Sequence, residues 1–448
     1  MKNDIQLANQ IAQKVARLGG RAYFVGGCVR DGLLGIECAD IDIEVHGLAP
    51  AALEEILDSV GRRMEVGKSF GIYALKGHSL DIALPRKERA VGHGHRDFKI
   101  SVDPHIGTCE AAKRRDFTIG ALMQDVLTGE IVDHFGGLQD LKKGILRHVD
   151  DNTFSEDPLR VLRGAQFAAR FEMKIAEETL KLCKAIQLDT ISKERILGEL
   201  SKALMSADRP SLFFAVLKEM EQLDTWFGEL GALIDVKQNK KYHAEGDAWS
   251  HTLLVLDEAA KLRCRANYPL WFMLSALCHD FGKAITTKEA DGRIISYRHE
   301  TEGLPLVKRF LKRLTNEQKL IQYVLNMTEL HMRPHALAAQ NASAKAANRM
   351  FDKAICPEDL LLLAEADNMG RFPRPEQDRN QYLYDKLRAY QVLSAKPQVT
   401  GTDLIAAGLT PDKDFSALLE YAHKLHLSGV DKSTALKQVI NYHKKKIK

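Results

Sequence analysis

Tyr23-Phe24-Val25-Gly26-Gly27-Cys28-Val29-Arg30-Asp31-Gly32-Leu33-Leu34-Gly35 is followed shortly by Asp40-Ile41-Asp42-Ile43-Glu44-Val45. An apolar run ends in two glycines. A short helical segment comes next, and then a second strand, at 41–45, that carries two carboxylates one residue apart. Side chains alternate along a strand, so Asp40 and Asp42 point to the same face. Neighbouring carboxylates repel one another unless a divalent cation lies between them, and oxygen donors suit magnesium. Glycines let a phosphate come close to backbone N–H groups at a helix N-terminus. Together the parts propose a nucleoside triphosphate held by glycines and metal. A Gly-Gly or an Asp-x-Asp alone is common in turns and at solvated strand ends; the ordered combination carries the weight.

This stretch resembles the head of bacterial class II tRNA nucleotidyltransferases and poly(A) polymerases, members of the polymerase-beta-like nucleotidyltransferase superfamily. Around it, residues 4–18 read as a helix with Ile5, Ala8, Ile11, Ala12 and Val15 on one face. A short helix is expected at 51–60 and strands at 72–75 and 80–84. The second of these strands holds Asp81, which the resemblance makes a third catalytic carboxylate. Residues 86–110, rich in charge, glycine and histidine, read as a mobile loop, with His93 and His95 solvated. The resemblance ties such a loop to addition of a terminal A.

Arg114-Arg115-Asp116 reads as the opening of a helix, with Asp116 suited to its N-terminus. The arginines are fixed cations matched to triphosphate oxygens, and Asp116 can bond a ribose hydroxyl. The match to the family's Arg-Arg-Asp motif implies these roles for Arg115 and Asp116, and phosphate contacts for Gly26, Gly27 and Arg30. The family usually continues Thr-Ile-Asn-Ala; here Gly120 takes the place of the Asn. After a strand and turn at 131–141 the head closes near residue 150. A new helix is expected from Ser155, with Ser155 as its N-cap. Asp157, Arg160 and Arg163 stand three apart and share a face, while Leu159, Leu162, Ala165 and Ala169 make an apolar side. Asp accepts from an exocyclic amine and Arg donates to a ring nitrogen or carbonyl, so one such pair admits cytosine and adenine and rejects guanine and uracil. Asp157 and Arg160 match the family's Glu-Asp-x-x-Arg motif, which implies base selection by protein, with Arg163 assisting.

The chain changes character after Tyr242. His251 heads an amphipathic helix, His279-Asp280 ends an apolar one, and His299, His331 and Asp367 follow on later segments. Imidazole with carboxylate suits transition metals, and a bound metal brings the pKa of its water toward ~7. The series resembles the HD phosphohydrolase superfamily. That resemblance makes His251, His279, Asp280 and Asp367 the core ligands of a second divalent metal (a transition metal such as Ni2+ or Mn2+, or Mg2+). His299 and His331 would complete the site with a second metal or a phosphate. Thr400-Gly401-Thr402-Asp403-Leu404 resembles part of an RNA-binding tail, and reads equally as a helix N-cap.

Composition sets the frame. A chain of 448 residues exceeds one ordinary core. Hydrophobic and charged fractions of 45% and 28% are those of a globular protein, and a net charge of +4 predicts no more than a local basic surface. Seven scattered cysteines without a C-x-x-C pair favour reduced thiols and a cytoplasmic address. No membrane span is expected, and no obligate protein partner. The expected architecture is α+β: a polymerase-beta-like head with a mixed, mostly antiparallel sheet at 1–150, an all-α neck at 151–236, an HD domain at 237–395 and a helical RNA-binding tail at 396–448. The implied function is addition of C, C and A to the 3′ end of tRNA from CTP and ATP. In the two-metal pattern, Asp40 and Asp42 would hold magnesium. Three rivals stand beside it: a poly(A) polymerase, a CC- or A-only enzyme, and a metal-dependent phosphohydrolase whose head only binds nucleotide.

Overall fold

The computed structural model describes residues 2–38, 40–67, 71–90, 98–239, 243–374, 380–395, 397–412 and 414–447; the expected solvated His93 and His95 lie outside them. The chain divides into two compact units, Met1–Ala203 with Leu212–Thr225, and Leu204–Ser211 with Trp226–Lys448.

The first unit opens with α1 (Lys2–Arg17), β1 (Arg21–Val25), α2 (Gly27–Leu33), β2 (Ile41–His46), α3 (Pro50–Asp58), β3 (Arg63–Gly67), β4 (Ile72–Leu75) and β5 (Leu80–Ala83). Next come β6 (Arg86–Ala90), β7 (Phe98–Val102), α4 (Thr108–Lys113), β8 (Met123–Asp125), β9 (Ile131–Val132) and α5 (Gly137–Lys143). One seven-stranded sheet runs β3-β4-β5-β2-β1-β8-β9, and only the β2–β5 pair is parallel. The period of two in β2 sorts its residues: Ile41, Ile43 and Val45 are buried in the core with α1 and α3, which turns Asp42, Glu44 and His46 to the other face. In α1 the buried stripe is Leu7, Ala8, Ile11, Ala12 and Val15; Ile5, expected on it, is 42% exposed because the stripe turns past it toward Leu7.

Three local expectations are corrected. Residues 86–110 are not one loop: β6 and β7 pair as an antiparallel hairpin from Arg86↔Val102 to Ala90↔Phe98, and α4 begins at Thr108. Arg114-Arg115-Asp116 does not open an α-helix. It follows the end of α4 and leads only into a three-residue 3-10 turn, Thr118–Gly120. Ser155 ends a helix instead of capping one: α6 (Asp151–Ser155) is capped by Asp150 accepting from Thr153 N at 3.0 Å. α7 (Leu159–Phe171) then begins with Asp157 Oδ1 accepting from Leu159 N at 3.2 Å. Leu159, Leu162, Ala165 and Ala169 form its buried side, as expected, and Phe117 packs edge-on against Phe154 and Phe167. Before α6 comes β10 (Ile145–Leu146), which pairs in parallel with β11 (Lys174–Ile175), so the neck is not purely helical. Helices α8 (Glu177–Ala185), α9 (Lys193–Ser206) and α10 (Ser211–Glu219) follow.

Among the described residues, the second unit is helical apart from a small hairpin. It comprises α11 (Asp224–Gly231), α12 (Ala248–Leu262), α13 (Pro269–Cys278), α14 (Lys283–Thr286), the hairpin β12 (Lys288–Ala290) and β13 (Arg293–Ile295), α15 (His299–Glu302) and α16 (Leu304–Leu314). α17 (Gln318–Leu330), α18 (Met332–Ala339), α19 (Ala344–Lys353), α20 (Pro357–Met369) and α21 (Asn380–Ser394) follow. α22 (Gly401–Ala406), α23 (Phe415–His426) and α24 (Lys432–Ile447) end the chain with a core of their own around Leu404, Leu418, Ala435 and Val439. Thr400 and Asp403 form a reciprocal capping box on α22. The fully buried Asp359 carboxylate accepts from Asn267 N at 2.8 Å, Tyr268 N at 3.2 Å and the Tyr323 hydroxyl at 2.5 Å. No described helix is long and apolar enough to cross a membrane.

Candidate functional site

In the first unit the parallel register sets Asp42 directly beside Asp81 on β5. Paired residues of adjacent strands share a face, so the two carboxylates crowd the same side of the sheet. Burial, with the charges of Asp81 and Asp40 adding to it, pushes the Asp42 carboxyl above the ordinary range; Arg115 alone opposes the shift. A cluster of like charges with one partial counter-ion is the electrostatic setting that a divalent cation relieves. Asp40 and Asp81 are exposed, and the three carboxylates are looser than the ligand groups of the second unit.

Gly26 closes the other side. Its φ of +69° and ψ of −128° suit glycine, and a Cβ there would stand 3.3 Å from Arg115 Nη1 and 3.9 Å from Asp42 Oδ2. Gly26, Asp42 and Arg115 thus meet at one point, at the N-terminal end of α2. Arg30 is placed differently from the phosphate contact expected of it. It is buried, bonded to Asp31 at 2.7 Å and packed against the rings of Phe167 and Phe171 at 5.1 and 4.6 Å. Its charge is spent on joining α2 to α7.

The residues expected to read the base are pinned by partners that the spacing does not reveal. Asp157 Oδ2 meets Arg195 Nη2 at 2.7 Å. Arg160 donates to the carbonyls of Thr153 and Arg114, both at 2.8 Å. Arg163 pairs with Asp116 at 2.6 Å, and although burial pushes the Asp116 carboxyl up, that arginine holds it below the ordinary range. At position 120 a Cβ would lie 3.4 Å from Asp116 Oδ1, so the missing side chain leaves space beside Asp116.

All six residues expected in the second unit converge. They fall in two groups whose ligand atoms all lie within 4.8 Å of one another, His251, His279 and Asp367, and Asp280, His299 and His331; a third such group joins His251 to His243 and Glu245. Asp280 joins them. Its Oδ2 is 3.2 Å from His279 Nε2 and 3.6 Å from His251 Nε2, and its Oδ1 is 3.2 Å from His299 Nε2 and 3.8 Å from His331 Nε2. The Nδ1 atoms face away. Those of His279, His299 and His331 donate to the carbonyls of Ala276, Ser296 and Thr328 at 2.8, 2.8 and 2.6 Å, and that of His251 is 3.0 Å from Glu245 Oε1. This fixes one tautomer and aims four Nε2 lone pairs inward. His299 and His331 Nε2 lie 3.2 Å apart, and His279 Nε2 is buried without a hydrogen-bond partner. Such a donor set, imidazole nitrogens and carboxylate oxygens facing one another, fits a metal. Burial pushes the carboxyls of Asp280 and Asp367 up, but neighbouring cations and imidazoles hold both well below the carboxylate range.

Sequence reasoning passed over His243, Glu245, Lys283 and His335. Glu245 Oε1 also meets His243 Nδ1 at 2.8 Å, Lys283 Nζ is 2.6 Å from Asp280 Oδ2, and His335 Nε2 is 2.7 Å from Asp367 Oδ2. Lys283 was legible as the cation four residues after His279; the others lie in no recognisable spacing. A cleft of about 310 Å³, lined by His243, Lys283, Tyr297 and Arg371 among others, opens onto the cluster. Gly282 lets the segments meet: a Cβ on it would lie 2.0 Å from the His299 carbonyl oxygen.

A mixed sheet with paired carboxylates beside a glycine turn, in one chain with a buried histidine–aspartate cluster, defines a nucleotidyltransferase-class head combined with a metal-dependent hydrolase-type unit. Residues 22–147 match the poly A polymerase head domain and residues 248–371 the HD domain. The chain is 36% identical over 362 residues to the multifunctional CCA protein of Actinobacillus pleuropneumoniae serotype 5b (strain L20), covering 78% of this chain and 85% of that one. A CCA-adding enzyme in apo form shares the fold with a TM-score of 0.66 at 21% identity, over 98% of this chain and 93% of the other. The Thermotoga maritima CCA-adding enzyme complexed with tRNA_CCA does so with a TM-score of 0.61 at 20% identity, over 98% and 95%. The chain belongs to the multifunctional CCA protein family.

Proposed function

We infer that this chain adds C, C and A to the 3′ end of tRNA from CTP and ATP, without a nucleic-acid template. The observation that carries the reading is the pairing of Asp42 with Asp81 on parallel strands, facing Gly26 and Arg115. Asp40, Asp42 and Asp81 would hold magnesium, which supplies activation of the 3′-hydroxyl and charge neutralisation of the leaving pyrophosphate. The backbone at Gly26 and Gly27 would accept the triphosphate against Arg115, whose guanidinium is partly exposed. Arg30 is assigned here to hold α2 in place instead of touching phosphate. Asp116 would meet the ribose. Asp157, oriented by Arg195, and Arg160, oriented by two carbonyls, would read the base edge, with Arg163 assisting. We keep the four-part division at 1–150, 151–236, 237–395 and 396–448 as part of this reading. Seven free cysteines suit a reducing, cytoplasmic address.

A second activity, phosphohydrolysis in the HD unit, is favoured by the four inward Nε2 atoms. His251, His279, Asp280 and Asp367 would hold a divalent metal (Ni2+, Mn2+ or Mg2+), with His299 and His331 serving a second metal or a phosphate. The metal supplies an activated water, and Lys283 and Arg371 would face the substrate's phosphate in the cleft. The deciding experiment incubates the protein with tRNA lacking its CCA end, magnesium, and CTP and ATP separately and together, with products read at single-nucleotide resolution. Three additions ending at C-C-A are expected. A long A ladder, a stop after two C, or no extension would each overturn the reading. Hydrolysis of bis(p-nitrophenyl) phosphate across Ni2+, Mn2+ and Mg2+ tests the second activity.

A further inference from the structure

Glu44 lies two residues beyond Asp42 on the same face of β2, and unlike Asp42 it is closed off from solvent. Its Oε1 is 3.0 Å from His46 Nε2, and its Oε2 accepts from Arg114 Nη2 at 2.8 Å. Arg115 Nη2 stays at 3.9 Å from the same oxygen. A carboxylate this deep is tolerated only when its oxygens are paired, and Glu44 is paired on both. Arg114 is therefore gripped at two ends. Glu44 holds its guanidinium, and Arg160, reaching from α7, donates to its carbonyl at 2.8 Å. That carbonyl belongs to the peptide leading into Arg115. With Arg114 fixed at both ends, the next side chain has a defined origin, and Arg115 projects over Gly26 beside Asp42.

We propose that Glu44 is a positioning residue for nucleotidyl transfer: it clamps Arg114 and thereby sets where Arg115 meets the triphosphate. Asp42 and Glu44 alternate along β2, with Asp40 just ahead of it, but Glu44 faces the arginines. The clamp also places the phosphate-facing arginine and the base-reading helix on one scaffold, since Arg114 is bonded to both β2 and α7. This inference rests on the reading of Arg115 as a triphosphate ligand.

The test uses the full chain and first-addition kinetics on tRNA lacking its CCA end, with KM and kcat resolved for CTP and ATP, beside thermal melting. Glu44→Gln is expected to raise KM for both nucleotides about tenfold with kcat within about threefold of wild type. Arg114→Met should do the same, and the double variant should be no worse than either single one, because both act through one clamp. Losses that multiply in the double variant, or a folded Glu44→Gln protein with KM within about twofold of wild type, overturn the proposal. If Glu44→Gln does not fold, Arg114→Lys decides. It keeps a cation beside Glu44 but loses the fork, so KM should rise about threefold or more, and an unchanged KM sinks the idea. Wild type that fails to extend tRNA would refute the activity itself, whereas an active Arg115→Met variant with unchanged KM removes only the role on which the clamp depends.

Discussion

Gly26→Ala probes the meeting point of the head directly. At φ +69° and ψ −128° the alanine backbone would be strained, at a cost of about 1–3 kcal/mol. Against a typical domain stability of ~5–15 kcal/mol the unit stays folded, and a middle value of about 2 kcal/mol corresponds to a Tm lower by about 4–8 °C. The new Cβ would stand 3.3 Å from Arg115 Nη1 and 3.9 Å from Asp42 Oδ2. The first distance forces the guanidinium to give way by a few tenths of an ångström, and the methyl occupies the space where a phosphate would approach the backbone. Displacements approaching 1 Å cost about 10²-fold in positioned reactions, so CTP addition should fall between about tenfold and a hundredfold. Single-turnover extension of tRNA lacking its CCA end, with a melting curve on the same preparation, measures both. A variant within about threefold of wild-type rate, with the Tm shift present, would refute the close-approach argument. The turn would then need glycine for its backbone alone.

Asp42→Asn should abolish nucleotide addition while leaving circular dichroism and Tm near wild type, since the carboxylate sits in a cluster of like charge; a large drop in Tm would make it a structural acid. His279→Ala should remove metal-dependent phosphodiester hydrolysis and spare CCA addition, and a parallel loss of both would break the two-site description. Chelation should lower the thermal stability of the helical unit and re-addition of metal restore it, because a ligand of the native state stabilises by mass action; a Tm indifferent to metal would count against ligation by the His–Asp groups. Asp359→Ala removes the acceptor of three donors, the fully buried Tyr323 hydroxyl among them, so unfolding in urea should show a loss of about 1–3 kcal/mol, and no measurable loss would contradict that account.

The strands were legible where burial is one-sided. In β2 the alternation of Ile41, Ile43 and Val45 with Asp42 and Glu44 fixes both the strand and the face of the acids. The β6–β7 hairpin was not legible, because Arg86-Lys87-Glu88-Arg89 carries no apolar alternation and its pairing is a long-range event. Cap positions were misread at Ser155 because Asp150 and Asp157, two better-placed acceptors, compete for the same helix ends. The six histidines and aspartates of the HD cluster could be found because each sits at or near a helix end in a recognisable run. His243, Glu245 and His335 could not, since what recruits them is proximity in space to His251 and Asp367. Arg30 shows contacts that no local pattern reveals: a cation beside two glycines suggests phosphate, and the aromatic faces of Phe167 and Phe171, far away in sequence, pack against it.

The histidines of the cluster lean on backbone. Ala276 and Thr328 carbonyls are ones that α13 and α17 leave over at their last turns, and the Ser296 carbonyl lies just ahead of α15. Every residue type supplies that acceptor. Sequence drift at positions 276, 296 and 328 therefore leaves the support of these three histidines standing, provided the helix ends hold. The hydrolysis proposed for this unit should then be lost in single steps, through one of the clustered histidines or aspartates or a helix end, and not eroded gradually through substitutions around them. A lineage that has stopped using the activity would show it as a missing histidine or aspartate, and in this chain all six are in place.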